Sequence, residues 1–174
     1  MVPTPTCRTT APIAARARSG QLADRLLKGA RALIEFVRPL SDGGWRTPVP
    51  GDGRSVGVIV HHVASVYPLE VTLARMMADG SPIVGVTWAT VHDMNAAHAA
   101  EFGGVSKADS LALLEQNSAA AAGAIRTWSD MDLDRAVPVS LYANAELTCQ
   151  FMLEDHAVRH SLHHLARLRA ALAQ

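Results

Sequence analysis

The chain has 174 residues, 49% of them hydrophobic, which is enough to bury one core and favours a single domain over two. Sixteen basic residues balance sixteen acidic ones, so no excess of charge indicates a nucleic-acid or membrane-surface partner. Charged or imidazole side chains interrupt every apolar run, and we therefore expect a soluble, cytoplasmic chain without a membrane-spanning helix.

The first stretch of the chain differs in composition from the rest. Residues 1–21 are rich in Thr, Ala, Pro and Arg, contain no acidic residue and lack the continuous apolar run of a signal peptide. We interpret residues 1–18 as a flexible N-terminal arm and residues 19–174 as one metal-binding domain. Cys7 in the arm and Cys149 in an apolar segment do not indicate a disulfide, which favours a reducing compartment.

A first long helix is predicted over residues 19–40, where apolar side chains recur on one stripe. The run 41–53, with four glycines and two prolines, ends this helix. A second long helix is predicted to begin after the N-cap Ser55 and to run toward Gly80. We expect a kink in it near Pro68, which lacks a backbone N–H donor.

A short helical connector is predicted over residues 88–102, before a third long helix with an approximate capping box at Ser106 and Asp109. Apolar and small residues recur along that helix at spacings of three and four, which is typical of a seam inside a bundle. The run 136–141 fits a strand or an extended loop equally, and a fourth helix is predicted over 146–173. The pattern therefore predicts an all-α fold, a four-helix bundle with a long crossover between helices 2 and 3.

Histidine is the unusual residue of this composition, with eight histidines against two tyrosines and three phenylalanines. Residues four apart on an α-helix share one face, so two histidines at that spacing can bind one metal. A helical wheel places His160 and His164 on the inward stripe of the fourth helix. It places His62 on the inward stripe of the second helix beside apolar residues such as Leu69, whereas His61 points about 100° away.

Spacing alone leaves two interpretations of the three inward histidines open. A lone histidine on an apolar face is more often a hydrogen-bonded core residue than a ligand. Burying three imidazoles without partners is costly, however, and one shared metal would supply a partner to each. The other histidines are expected to lie in solvent or to support the ligands: His61, His92, His98, His156 and His163. Arg167 lies about 20° from His160 on the wheel and is the candidate to line the pocket and hold an anion.

Three stretches of the chain resemble a known family. They are Asp42-Gly-Gly-Trp45 followed by Ser55-Val-Gly-Val-Ile-Val-His-His-Val63, then His160-Ser-Leu-His-His164-Leu-Ala-Arg-Leu168, and more weakly Val91-His-Asp-Met-Asn95. These stretches resemble the DinB/YfiT-like metalloenzyme superfamily over about residues 19–172. The resemblance implies a DinB-like four-helix bundle and a three-histidine site formed by His62, His160 and His164, the residues that the wheels select.

The resemblance also implies the chemistry of such a site. It implies one divalent transition metal, with zinc or nickel favoured and iron also fitting the ligands. It further implies a low-molecular-weight thiol, such as mycothiol, bacillithiol or glutathione, used for transfer or isomerisation. Three neutral imidazoles leave such a metal an open position, as expected of a catalytic site. The acting group would be a metal-bound thiolate or water, with Arg167 as the anion anchor.

Two rival functions stay open beside this thiol-dependent transferase. One is a hydrolase in which the same metal activates water, and the other is a noncatalytic metal-binding stress-response protein. Glu154 and Asp155 lie off the inward stripe, so we expect no carboxylate beside the histidines to serve as a base, which favours a thiol over water. We expect a homodimer that binds a small-molecule substrate or thiol and no nucleic acid.

Overall fold

Helices dominate residues 18–173, the part of the chain that this computed structural model describes. The elements, in chain order, are α1 (Arg18–Val37), α2 (Asp42–Arg46), α3 (Val56–Ala78), α4 (Trp88–Glu101), α5 (Lys107–Ile125), α6 (Asp130–Asp134), β1 (Ala136–Val139), a 3-10 turn (Ser140–Tyr142), β2 (Ala145–Thr148), α7 (Cys149–Met152), a π-helical segment (Leu153–Val158) and α8 (Arg159–Leu172). The predicted N-terminal arm lies outside the described residues, except for Arg18.

Four long helical runs form the bundle within the described range. They are α1, α3, α5 and the continuous run of α7, π-helical segment and α8, which we call the C-terminal helix. Helix α5 packs against both α1 and α3, and the C-terminal helix packs against the same two helices from another side. The crossover between α3 and α5 contains α4. The predicted all-α four-helix bundle with a long crossover between the second and third long helices is therefore confirmed.

A small hairpin stands where the prediction left a strand or a loop. Strands β1 and β2 pair antiparallel, with Ala136 opposite Thr148 and Val139 opposite Ala145. The predicted start of the last helix at residue 146 is wrong, because the backbone of residues 145–148 pairs with β1 and cannot form helical hydrogen bonds. The helix begins at Cys149, where the Thr148 side chain accepts a hydrogen bond from the backbone N–H of Phe151 at 3.1 Å.

The central helix α3 is the most apolar of the long helices. Its first turn is capped by Ser55, whose hydroxyl accepts from the Val58 backbone N–H, and it stays helical through Pro68. By length and composition alone this helix could cross a membrane, contrary to the expectation from sequence. However, 61% of its most apolar window is buried inside the fold, and the core helix of a soluble protein meets the same criterion.

The start of α3 is held against α2 by a close approach. Trp45 is buried, and its indole N–H donates to the Val105 carbonyl at 3.0 Å. A Cβ added to Gly57 would lie 2.5 Å from two atoms of the Trp45 ring, so no larger residue fits at position 57 without displacing the indole. This contact gives a physical reason for the tryptophan and the glycine in the first of the three family-like stretches.

Helix α4 lies on the outside of the bundle. The structure describes all of its residues, and none of them is buried. It begins at the N-cap Thr87, whose hydroxyl accepts from the Thr90 backbone N–H at 3.1 Å. The chain before it is tied to the hairpin, because the Ser140 hydroxyl accepts from the Val86 N–H and donates to the Val86 carbonyl. The crossover is thus anchored at its start, while α4 itself contacts the bundle through few side chains.

The π-helical segment interrupts the C-terminal helix just before its histidine pair. Such segments carry one residue more per turn than an α-helix and often occur at functional sites. The segment ends at Val158, so His160 and His164 both lie in the regular helix α8. The spacing of four that predicted this pair therefore holds in the structure.

Candidate metal centre

The three histidines selected from the sequence come together between α3 and α8. His62 and His164 are buried, His160 is half-buried, and one ring nitrogen of each lies within 4.8 Å of the other two. The Nε2 atoms of His62 and His160 are 3.1 Å apart. Two nitrogens on one tetrahedral ion at about 2.0–2.1 Å would lie about 3.3 Å apart, so this separation fits a shared metal.

A carboxylate supports this cluster from the side that faces away from His62. The buried Glu70 accepts a hydrogen bond from His160 Nδ1 at 2.6 Å. A proton held on Nδ1 leaves the lone pair of the imidazole on Nε2, the nitrogen that faces His62. Carboxylate-to-histidine bonds of this kind orient metal-binding imidazoles and make them more basic.

Glu70 is a buried carboxylate beside the histidines that the helical wheel did not indicate, although its bond to His160 gives it an orienting position and not that of a base. The wheel directed the inward face of the second helix toward Leu69, which is exposed, whereas the buried stripe after Pro68 contains Glu70, Ala74 and Met77. Helix α3 packs against α5 and the C-terminal helix at once, so its buried arc is not centred on His62. Glu70 lies about two helical turns after His62, and this spacing is the signal in the sequence that could have identified it. A helical wheel that considers only apolar neighbours does not detect it.

The cluster is electrically suited to a cation. Burial, and after it the nearby charge of His160, lowers the pKa of His62 to about 3 and that of His164 to about 2. Both rings are therefore neutral at pH 7, with lone pairs free to bind a metal. His164 Nδ1 is buried and has no hydrogen-bond partner among the described residues. The donor set, the short nitrogen separation and this unpartnered nitrogen together fit a divalent metal ion.

A second pair of histidines flanks the cluster on the side of α4. His61 Nδ1 lies 2.9 Å from His98 Nε2, and the His61 ring stacks on Phe102 with 4.1 Å between ring centroids. The rings of His98 and His62 also meet edge to face, with 5.5 Å between their centroids. His61 lies outside the cluster of three, as the wheel indicated, and it is buried. This pair of histidines connects α4 to α3.

The remaining histidines stay outside the cluster. His92 is exposed on α4, His163 is exposed beside His164, and His156 lies 3.1 Å from the Tyr142 hydroxyl, which also donates to Asp155. Burial lowers the pKa of His156. Metal ligation by His62, His160 and His164 alone, without these histidines, stays a prediction.

A cleft of about 800 Å³ opens between the loop before α3, helix α4 and Arg167. Its walls include Asp52 and Arg54 from the loop and His92 and Asn95 from α4. The three clustered histidines do not line it. Arg54 links the two features, because its charge contributes to the low pKa of both His62 and His164. Arg167 lines this cleft, and its Nη1 lies 2.9 Å from Asp52.

Comparison with known proteins adds a family and a fold. A model of the DinB superfamily matches residues 25–168. YfiT from Bacillus subtilis, described as a probable metal-dependent hydrolase with an unusual four-helix bundle topology, aligns with a TM-score of 0.72 at 18% identity, covering 94% of this chain and 92% of that chain. An uncharacterised protein from Escherichia coli UTI89 aligns with a TM-score of 0.66 at 18% identity, covering 91% of this chain and 94% of that chain. No curated protein matches the sequence.

Proposed function

The chain belongs to the DinB superfamily, and from this premise we propose that it is a metal-dependent enzyme with a three-histidine site. His62, His160 and His164 would hold one divalent transition metal, for which the imidazole set fits zinc, nickel or iron. The single observation that carries the proposal is the convergence of these three nitrogens within 4.8 Å in a buried cluster.

A hydrogen-bonded core is the competing explanation for the same cluster. His62 Nε2–H could donate to His160 Nε2 across their 3.1 Å separation, because Glu70 holds the proton of His160 on Nδ1. That arrangement satisfies two of the three rings only. His164 Nδ1 would remain buried without a partner among residues 18–173, and an unsatisfied buried polar atom is costly. A shared metal would instead bind one nitrogen of each of the three rings, including His164.

The neighbouring carboxylates favour a thiol as the nucleophile. A divalent metal held by three neutral imidazoles keeps its full charge and lowers the pKa of a thiol or a water at its open position. Glu70 bonds the far nitrogen of His160, a contact that suits orienting a ligand better than acting as a base. Both oxygens of Asp52 are engaged by arginines. A thiol, with an ordinary pKa of about 8.5, needs no further base, whereas water needs more help.

The proposed activity is therefore transfer or isomerisation that uses a low-molecular-weight thiol, with mycothiol, bacillithiol and glutathione as the compounds to test. A metal-dependent hydrolase is the second candidate, and the structural likeness to YfiT of Bacillus subtilis, itself described as a probable metal-dependent hydrolase, favours it. The homodimer and the cytoplasmic location expected from the sequence stay predictions.

One assay separates these functions. Metal-loaded protein is mixed with a chromogenic electrophile and each of the three thiols, beside metal-free protein and the His164→Ala variant. The proposal expects turnover that needs both metal and thiol and is lost in His164→Ala. Metal-dependent turnover of an ester or amide substrate without any thiol would select the hydrolase. Metal binding without turnover in any pairing would indicate a noncatalytic metal-binding protein.

A further inference from the structure

Two arginines and an aspartate form an ion cluster at one wall of the cleft. The Arg54 side chain donates from Nε to one oxygen of Asp52 at 2.6 Å and from Nη2 to the other at 3.0 Å. Arg167 Nη1 lies 2.9 Å from the second oxygen. The exposed fractions of the side chains are 6% for Asp52, 15% for Arg54 and 35% for Arg167. Asp52 is thus the buried centre of the cluster, with an arginine on each side.

The cluster leaves a charged donor unsatisfied. Arg54 Nη1 is buried and has no hydrogen-bond partner in the part of the chain that the structure describes. A guanidinium offers five N–H donors and no acceptor, and a buried charged donor without a partner is costly. Asp52 neutralises one of the two positive charges, so one positive charge remains uncompensated. Both the charge and the free donor call for an acceptor with negative charge.

The cleft supplies the space for such a group. Arg54 and Arg167 both line it, and Asp52 is the single acidic side chain among its described lining residues. His92 and Asn95 stand on the opposite wall and can donate further hydrogen bonds. A volume of about 800 Å³ lies within the range of small-molecule sites.

The position of Arg167 gives a second reason for an anion. It lies three residues after His164 on α8, so the two side chains are neighbours on one face of that helix. A metal cation bound at the histidines would attract an anion held there. A negatively charged ligand would therefore bind more tightly when the metal is present, and the metal more tightly when the ligand is present.

We propose that this cleft binds a carboxylate of the substrate or thiol, with the anion held by Arg54 Nη1 and by Arg167 next to the three histidines. The inference builds on the proposed function, because it assigns the class of compound that the enzyme accepts. It makes Arg54 and Arg167 the residues that select anionic compounds over neutral ones. The two oxygens of a carboxylate can accept from two donors at once, here the free Nη1 of Arg54 and the guanidinium of Arg167.

The test is a binding titration of the full-length protein, with and without metal. Succinate is the probe, succinamide is its uncharged match, and inorganic phosphate is the second oxyanion. Calorimetry gives the affinity, and the Arg side-chain signals in nitrogen-15 NMR spectra report whether a guanidinium is contacted. We expect succinate to bind both forms, more tightly with metal, and succinamide to bind neither.

Three variants locate the site. Arg54→Lys keeps the positive charge but removes the free guanidinium N–H donor. Arg167→Gln leaves the Arg54–Asp52 pair intact, so a loss of binding in this variant is not explained by a folding defect from breaking that pair. Each should weaken succinate binding by about tenfold or more. Arg31→Gln, at an exposed arginine of α1, is the control and should bind succinate as the unaltered protein does.

The outcomes separate this inference from the proposed function. Unchanged succinate affinity in both cleft variants, equal binding of succinamide, or no succinate binding to either form of the protein would overturn the inference. Tighter binding of phosphate than of succinate would overturn the carboxylate assignment. The metal content of the same samples is measured independently. Succinate binding to a protein that takes up no metal would therefore remove the proposed function and leave the anion site standing.

Discussion

The histidine cluster and the cleft beside it, which we call the inner and outer walls of the candidate site, are built in opposite ways. The inner wall consists of α3 and α8, where His62, His164 and Glu70 are side chains of buried helical stripes. The outer wall consists of the loop at residues 51–55 and of helix α4. No residue of α4 is buried. Core packing holds the inner wall, whereas the outer wall depends on a few polar pairs and ring contacts.

The difference indicates a division of labour between the walls. A metal centre tolerates little displacement of its ligands, and rigid packed helices meet that requirement. A wall that selects substrates must differ among related enzymes and admit ligands, and loops and weakly packed helices serve this purpose. Variants on the inner wall should therefore alter metal binding and stability, while variants on the outer wall should alter local dynamics and ligand choice.

The largest expected effect is loss of the metal. His62→Ala removes a ligand from the inner wall, and we expect bound metal, measured by mass spectrometry of the purified protein, to fall to background. His163→Ala, at an exposed histidine adjacent to His164, is the matched control and should retain a full equivalent. Full metal occupancy in His62→Ala would show that the cluster does not bind metal as proposed.

A smaller loss of metal affinity is expected when the support of a ligand is weakened. Glu70→Gln keeps the shape of the side chain but removes the charge that faces His160 Nδ1 at 2.6 Å. Loss of such a partner typically costs about 10–100-fold in metal affinity. Competition with a coloured chelator measures the dissociation constant. The control is Glu115→Gln on the exposed face of α5, and equal affinities in the two variants would exclude an orienting role for Glu70.

The packing of the inner wall is tested by Gly57→Ala. The added Cβ would overlap the Trp45 ring, and overpacking of this kind lowers the free energy of unfolding by up to about 3 kcal/mol. Gly123→Ala in α5 is the control, since its Cβ would meet nothing within 4 Å and alanine favours the helix. Urea unfolding of both variants measures the effect. A stabilised Gly57→Ala protein would mean that α2 does not hold the start of α3.

The smallest effect is expected on the outer wall. Thr87→Ala removes the N-cap of α4, a loss of about 1 kcal/mol for that helix. Because α4 buries no residue, we expect faster amide hydrogen exchange in α4 with little change in the melting temperature. Ser106→Ala removes the corresponding cap of α5, whose inner face is buried, and should lower the melting temperature. Equal shifts of the melting temperature in both variants would contradict the contrast between α4 and the packed helices of the bundle.

The inner wall was largely predictable from sequence, and the outer wall was not. His160 and His164 lie in regular helix, and the buried first half of α3 contains His62, so uniform helical wheels selected all three. Glu70 was missed because the wheels counted only apolar neighbours. The pairing of Asp52 with Arg167 joins a loop to the last helix, and no local periodicity reports a contact so distant in sequence. The sequence did indicate Arg167 as an anion anchor, but not the Arg54 beside it.

The π-helical segment determines whether the C-terminal helix can lose a residue without losing its buried stripe. Along the C-terminal helix the buried residues Cys149, Leu153, Ala157, Ser161 and Leu165 repeat every four positions. In an uninterrupted α-helix such a repeat would drift by about 160° around the axis from first to last, carrying one end out of the core. The extra residue of the π-helical segment absorbs about 100° of that drift. Deleting one residue within 153–158 would swing α7 by about 100° and remove Cys149 from the core, while the His160–His164 pair kept its own spacing.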